Sequence, residues 1–195
     1  MGRISQIKRA TSETEIEVTV NLDGTGQHDI NTPIPFLDHM LAQLSRHGFF
    51  DLNVKAKGDT EIDFHHTVED IGISIGQAFA QALGKKKGIR RFADVRIPLN
   101  EALASVVVDI SGRSFFVFNG DLPKAKIGDF DVELVPEFFQ AFAANSGMTL
   151  HVSVPYWNNL HHAVEAMFKS FARALDQACS LDPRSGDIPS TKGKL

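Results

Sequence analysis

One five-residue pattern occurs twice in this chain, and its recurrence limits the possible folds more than any other feature. His65-His66-Thr67-Val68-Glu69 returns as His161-His162-Ala163-Val164-Glu165, a separation of 96 (161 − 65). Other segments repeat in the same order. Leu52-Asn53-Val54 pairs with Leu150-His151-Val152 at a separation of 98, and Phe79-Ala80-Gln81-Ala82-Leu83 with Phe171-Ala172-Arg173-Ala174-Leu175 at 92. The slip of four between 96 and 92 is about one helical turn. The chain therefore reads as an internally duplicated strand-helix-strand-helix unit of the α+β class. Each half is a two-layer sandwich, an antiparallel sheet with helices on one face. The expected halves are residues 1–92 and 93–182, with a tail at 183–195, together one compact unit.

The local patterns place the repeat on elements. Ile4 to Asn21 alternates as a strand running into a turn at Asp23-Gly24, with Gln27 to Ile30 as the returning strand. Pro33 and Pro35 precede a helix carrying His39 that stops at Gly48, and Phe50 to Ala56 is a strand. The first doublet opens a helix from about His66 to Leu83, closed by Gly84 and followed by a basic connector, Lys85 to Arg91. The second half offers strands at Ala102 to Ile110, Phe115 to Phe118 and Thr149 to Val154. Its helices run from Leu134 to near Gly147 and from Leu160 to about Cys179.

Composition excludes several classes of function. Over 195 residues the chain is 43% hydrophobic and 23% charged with a net charge of −4. That suits a soluble globular protein and gives no basic surface for nucleic acid. A single cysteine, Cys179, forms no internal disulfide, which fits a reducing compartment. No hydrophobic signal core and no membrane-length apolar run is present, so a cytoplasmic protein without membrane contacts is expected.

Each doublet carries three potential metal ligands on one helical face. Residues advance by about 100° along a helix, so the first His and the Glu (i, i+4) and the second His and the Glu (i, i+3) lie together. Adjacent rings diverge by the same angle, and the simplest use of His-His is one ring for each of two ions. Two doublets would clamp two ions between them, with nitrogen and oxygen donors suited to Mn(II), Fe(II), Co(II), Ni(II) or Zn(II). At the separation of 98, His39 falls opposite Glu137, which makes both candidate ligands from equivalent helices.

Further stretches carry a resemblance. Arg9-Ala10-Thr11-Ser12-Glu13-Thr14, Asn21-Leu22-Asp23-Gly24-Thr25-Gly26, Phe36-Leu37-Asp38-His39-Met40-Leu41, both doublets, Asp109-Ile110-Ser111-Gly112-Arg113 and Ser190-Thr191-Lys192-Gly193 stand in order from residue 9 to 193. Together they resemble the imidazoleglycerol-phosphate dehydratase family in its monofunctional form. The resemblance implies a ribosomal-protein-like sandwich assembled as a 24-subunit homo-oligomer built from trimers, with active sites between subunits. It implies dehydration of D-erythro-imidazoleglycerol phosphate to imidazole acetol phosphate in histidine biosynthesis, through a metal-bound imidazolate and a diazafulvene-like intermediate. Two Mn(II) ions per site are implied, with His39, His65, His66, Glu69, Glu137, His161, His162 and Glu165 as ligands. Glu137 stands where some members carry His. Acid/base work falls to Glu165, with Glu69 its counterpart in the first copy. Glu13 and Gln43 would hold substrate oxygens, and Arg91, Arg113, Lys169, Ser190 and Lys192 the phosphate. Asn100 departs from an acidic residue expected in its place, and His28, His47 and His151 are read as non-ligating.

Two rival readings use the same ligands: a dinuclear metallohydrolase, and a storage shell in which metals merely staple subunits. A storage shell has no use for the basic set around Arg91 and Lys192. A hydrolase would give a different product.

Overall fold

A computed structural model describes residues 2–195. The first half contains β1 (Ile4–Ala10), β2 (Thr14–Asn21), β3 (His28–Asn31), α1 (Pro35–Gly48), β4 (Asp51–Gly58) and α2 (His65–Leu83). The second contains β5 (Phe92–Leu99), β6 (Ala102–Asp109), β7 (Phe115–Gly120), the short β8 (Lys126–Ile127) and β9 (Phe130–Asp131), α3 (Leu134–Ser146), β10 (Thr149–Tyr156) and α4 (Leu160–Cys179). The sheet orders β1-β2-β4-β3 and β5-β6-β10-β7 are equivalent. The duplication is therefore a repeat of topology as well as of sequence. The β8–β9 hairpin lies only in the second half, and across it the separation of matching strands grows from 88 (β1 to β5, 92 − 4) to 98 (β4 to β10, 149 − 51).

Several strand expectations are corrected. Residues 4–21 form a hairpin rather than one strand, because Thr11 turns the chain: its hydroxyl accepts from the backbone N–H groups of Glu13 and Thr14. β3 does not return against β2, whose two edges are taken by β1 and β4; it lies parallel to β4 at the sheet edge. β7 likewise lies parallel to β10. The sheets are thus mixed, and α1 and α3 are the crossovers that parallel neighbours require. The second half opens with β5, whose inward Ala93, Val95, Ile97 and Leu99 alternate regularly with outward residues; the sequence reading leaves it unmarked because Pro98, a poor strand former, stands in it. Pro98 is tolerated there because β5 is an edge strand.

In β2, Ile16, Val18 and Val20 point inward; in β6, Ala102, Ala104, Val106 and Val108 do so. Each sheet buries that face under its own helices. The helix layers then meet, α2 packing along α3 and α1 along α4. At the seam, buried rings form a continuous file: Phe50 meets Phe79 at 5.0 Å, Phe79 meets Phe142 at 5.5 Å, Phe142 meets Phe171 at 4.9 Å and Phe171 meets Phe139 at 5.1 Å. The four are edge-to-face pairs, a favoured arrangement of ring quadrupoles.

Glycine permits the closest part of this seam. A Cβ on Gly72 would stand 2.8 Å from the Phe138 carbonyl, and one on Gly76 2.7 Å from the Phe142 carbonyl. α1 ends in a related way. Gly48 is its last residue rather than its stop, since a Cβ there would meet the Phe50 ring at 2.5 Å, and Phe49 takes the left-handed turn at φ 57°. Asp70 on α2 accepts from Arg9 Nε at 2.8 Å and Thr14 Oγ1 at 2.5 Å, anchoring the hairpin that carries Glu13. Among the described residues no helix is long and apolar enough to cross a membrane. Gly76→Val should lower stability by about 3 kcal/mol through overpacking; an unchanged urea midpoint would show that the seam can open without cost.

Candidate active site

The doublets sit at helix starts for local reasons. Asn159 caps α4, its side-chain oxygen accepting from the backbone N–H of His161 at 2.9 Å and of His162 at 3.3 Å. At α2 the Asp63 carboxylate accepts from the His65 N–H at 2.7 Å. Because α1 packs along α4, His39 arrives opposite the second doublet. His39 Nε2 lies 3.4 Å and His161 Nε2 3.1 Å from Glu165 Oε2, and the two rings are 5.8 Å apart. Lys169, one turn on, places Nζ 2.6 Å from Glu165 Oε1.

Burial of Glu165 favours its neutral form, but Lys169, His39 and His161 outweigh this and hold its pKa at about 2. The carboxylate is therefore ionised at neutral pH. The donor atoms of His39, His161 and Glu165 all lie within 4.8 Å of one another. Donors on one ion with bonds of about 2.1 Å stand roughly 3–4 Å apart, so small side-chain movements suffice, and the set suits a divalent first-row cation. Further along α1, Gln43 Oε1 meets His47 Nε2 at 2.9 Å. Burial lowers the pKa of His47, and Lys169 and Arg173 add to that effect.

The other expected ligands do not join this cluster within one chain. His66 Nδ1 lies 3.0 Å from Asp59 Oδ2 and 3.9 Å from Glu13 Oε2. Asp59 raises its pKa. His162 Nδ1 lies 3.1 Å from Glu101 Oε2. The rings of each doublet are 6.3 Å apart and nearly perpendicular, at 89° for His65 with His66 and 83° for His161 with His162, as the divergence of neighbouring helical residues requires. Glu69 and Glu137 are exposed, and neither belongs to the His39 cluster.

The basic residues gather in a separate cavity of about 520 Å³ bordered by Arg91, Arg113, Ser190, Lys192 and Lys194. Arg91 adopts a left-handed backbone at φ 74°. Its Nε donates to Asp109 Oδ1 at 2.7 Å, Nη2 to Oδ2 at 3.2 Å, and Nη1 to the Pro189 carbonyl at 2.8 Å. Arg91 thus holds the tail segment beside itself, and the Gly193 N–H closes a turn on the Ser190 carbonyl at 3.0 Å. Lys169 stands with Glu165 rather than in the lining of this cavity.

Sequence reasoning passed over Asp59, Glu101 and Asp109. Glu101 had a signal: it follows Glu13 by 88 residues, the separation of the two equivalent hairpins (101 − 13). Asp109 belongs to the Asp109-Ile110-Ser111-Gly112-Arg113 stretch, where no spacing along the chain ties it to Arg91. His151 is exposed on β10, and His28 on the edge strand β3.

Comparison with known proteins supplies the identity. A sequence profile described as imidazoleglycerol-phosphate dehydratase matches residues 32–175. The imidazoleglycerol-phosphate dehydratase of Pelobacter propionicus is 58% identical over 195 residues, all of both chains, and that of Rhodopseudomonas palustris 56% over 99% of this chain and 98% of its own. The crystal structure of imidazoleglycerol-phosphate dehydratase from Staphylococcus aureus superposes with a TM-score of 0.83 at 41% identity, covering 92% of this chain and 99% of the other. One from Pyrococcus furiosus superposes at 0.82 and 33% identity, covering 97% and 100%. A profile match over most of the chain, full-length relatives and a shared fold agree: the chain belongs to the imidazoleglycerol-phosphate dehydratase family, hydro-lyases of histidine biosynthesis.

Proposed function

We propose that the chain dehydrates D-erythro-imidazoleglycerol phosphate to imidazole acetol phosphate using two divalent cations, Mn(II), at each active site. The observation that carries the metal part is the convergence of His39, His161 and Glu165 within 4.8 Å, two imidazole nitrogens and one ionised carboxylate. His65, His66, Glu69, Glu137 and His162 would complete the two ligand sets. Since they stay outside this cluster in one chain, the reading includes a homo-oligomer of 24 subunits with active sites between copies. The exposed Phe92, Phe115 and Val107 on the second sheet support association.

Bound there, the cations would let the substrate's imidazole ring ionise at neutral pH, so that ring electrons expel the neighbouring hydroxyl. The protein's own groups handle the proton and the phosphate. Glu165 is a weak base while Lys169 stays at 2.6 Å. A substrate phosphate that draws Lys169 away would remove the strongest of the contacts that lower the Glu165 pKa, raise its basicity and help the carboxylate take the carbon-bound proton. Glu69, at the same place in the first copy, is assigned acid/base work as well as ligation. Arg113, Ser190 and Lys192 would hold the phosphate beside Arg91, whose fork Asp109 has already oriented. Glu13 and Gln43 would take substrate oxygens.

Four outcomes follow from this reading. Stripping the protein with a chelator should abolish production of the ketone, and Mn(II) should restore it; full turnover without metal refutes the metal part. Glu165→Gln should lower kcat by about a thousandfold, within the range of acid/base contributions, with particle size by light scattering unchanged, whereas Lys192→Ala should raise KM about tenfold with kcat nearly kept. Near-normal turnover in the first variant, or an unaltered KM in the second, removes that residue's role. The fourth concerns acid stability. The Glu165 carboxyl stands at about 2 in the folded chain against an ordinary 4.5. Its stabilising contribution is therefore complete above about pH 4.5 and lost as the pH falls towards 2. In metal-free protein Glu165→Gln should flatten the acid-unfolding profile over that interval, and superimposable profiles would contradict the pairing.

A further inference from the structure

Two imidazoles outside the three-donor cluster are held in the same way by different loops. His66 Nδ1 faces Asp59 Oδ2 at 3.0 Å, and His162 Nδ1 faces Glu101 Oε2 at 3.1 Å and Oε1 at 3.2 Å. An ionised carboxylate only accepts, so each Nδ1 carries the hydrogen and in the neutral ring each Nε2 keeps its lone pair. A histidine with its outer nitrogen bound to a carboxylate and its inner lone pair free is oriented and made more basic as a metal ligand.

The supporting carboxylates are not equivalent by the internal duplication. Glu101, in the β5–β6 turn, corresponds to Glu13 in the β1–β2 turn at the separation of 88. Asp59, after β4, corresponds at 98 to Trp157 after β10, whose Nε1 donates to the Asp121 carbonyl at 3.2 Å. In the first half Glu13 stands off from His66 Nδ1 at 3.9 Å, with 49% of its side chain exposed. Asp59 has taken the nearer position. Its backbone N–H donates to the Glu13 carbonyl at 3.1 Å, so the two turns are neighbours. Its second oxygen, Oδ1, is buried and has no hydrogen-bond partner among the described residues. A desolvated, unpaired carboxylate oxygen costs stability, which a role in holding His66 explains better than packing does.

We propose that Asp59 and Glu101 are the positioning residues that present His66 and His162 to the divalent cations, and that Asp59, by taking this task in the first half, leaves Glu13 free for the substrate. This rests on the metal-dependent reading above. Glu101 has an added duty, since Oε1 also accepts from the Asn159 N–H at the cap of α4 at 2.7 Å. Asp59 therefore carries the cleaner test.

Assembled full-length protein is stripped of metal and titrated with Mn(II), with the free ion followed by its paramagnetic resonance signal. Asp59→Asn should weaken one of the two ions per site by about 10- to 100-fold, with the unfolding midpoint of the metal-free variant unchanged. Glu101→Gln should weaken Mn(II) similarly. Glu13→Gln should leave Mn(II) affinity within about twofold while raising the KM for substrate, because it reaches the ligand and not the imidazole. Wild-type affinity in Asp59→Asn overturns the inference. So does a loss of metal-free stability that accounts for the affinity change, which would make Asp59 merely structural. Loss of Mn(II) affinity in Glu13→Gln instead of Asp59→Asn would show that the roles were not exchanged. If the wild-type protein binds no Mn(II), the metal-dependent reading itself falls and this inference with it; the variants alone separate the two failures.

Discussion

The contact between the helical layers of the two halves is the constraint on which the site depends. His39 belongs to the first half and Glu165 to the second, 126 residues apart in the chain. They meet only because α1 lies along α4, and that placement is set by rings interlocked across the seam and by the close approach that Gly72 and Gly76 allow between α2 and α3. Interiors packed to this density resist sliding. Because Phe79 of one half packs onto Phe142 of the other, with Phe50 behind the first ring and Phe171 behind the second, neither half completes its core alone. Core and site therefore form together.

Upon that frame, carboxylates hold four of the candidate imidazoles and two of the cations in advance. Glu165 collects His39, His161 and Lys169; Asp59 holds His66; Glu101 holds His162; Asp109 holds Arg91. Such pairs fix tautomers and fork orientations before any ligand arrives, which lowers the cost of organising the site on binding. Arg91 shows how local the arrangement is, since a left-handed residue at φ 74° is sterically costly and is kept here by bonds to Asp109 and Pro189. Cys179 has no part in this chemistry. Its complete burial pushes the thiol up to about 12, leaving it unreactive.

Helices were legible almost to the residue, because each carries an apolar stripe bounded by clear punctuation. α4 runs from Leu160 to Cys179 as its periodicity indicates, and α2 ends at Leu83 before Gly84. Strand partnership was not legible. The alternation of Ile16, Val18 and Val20 suggests one strand from Ile4 to Asn21, yet the chain folds back at Thr11 because a threonine hydroxyl serves the turn without glycine or proline to announce it. β3 shows the same limit, as four residues of strand pattern do not say which edge they join. Gly48 misled in a simple way: it is needed for the approach of the Phe50 ring, and the turn that glycine usually makes was left to Phe49.

The residue types of the site, the repeat that orders them and the helical faces they occupy were determined by the sequence, because these depend on neighbours a few positions away. Which of them meet was decided by tertiary structure. A periodicity of 3.6 residues places His161 beside Glu165, but it says nothing of His39, which reaches them through the packing of α1 on α4. The duplication likewise pointed to equivalent ligands in both halves. The fold made them inequivalent, with His66 held by Asp59 and His162 by Glu101, because a side chain's partner is set by which loops the packed layers bring within about 3 Å, a distance no spacing along the chain encodes.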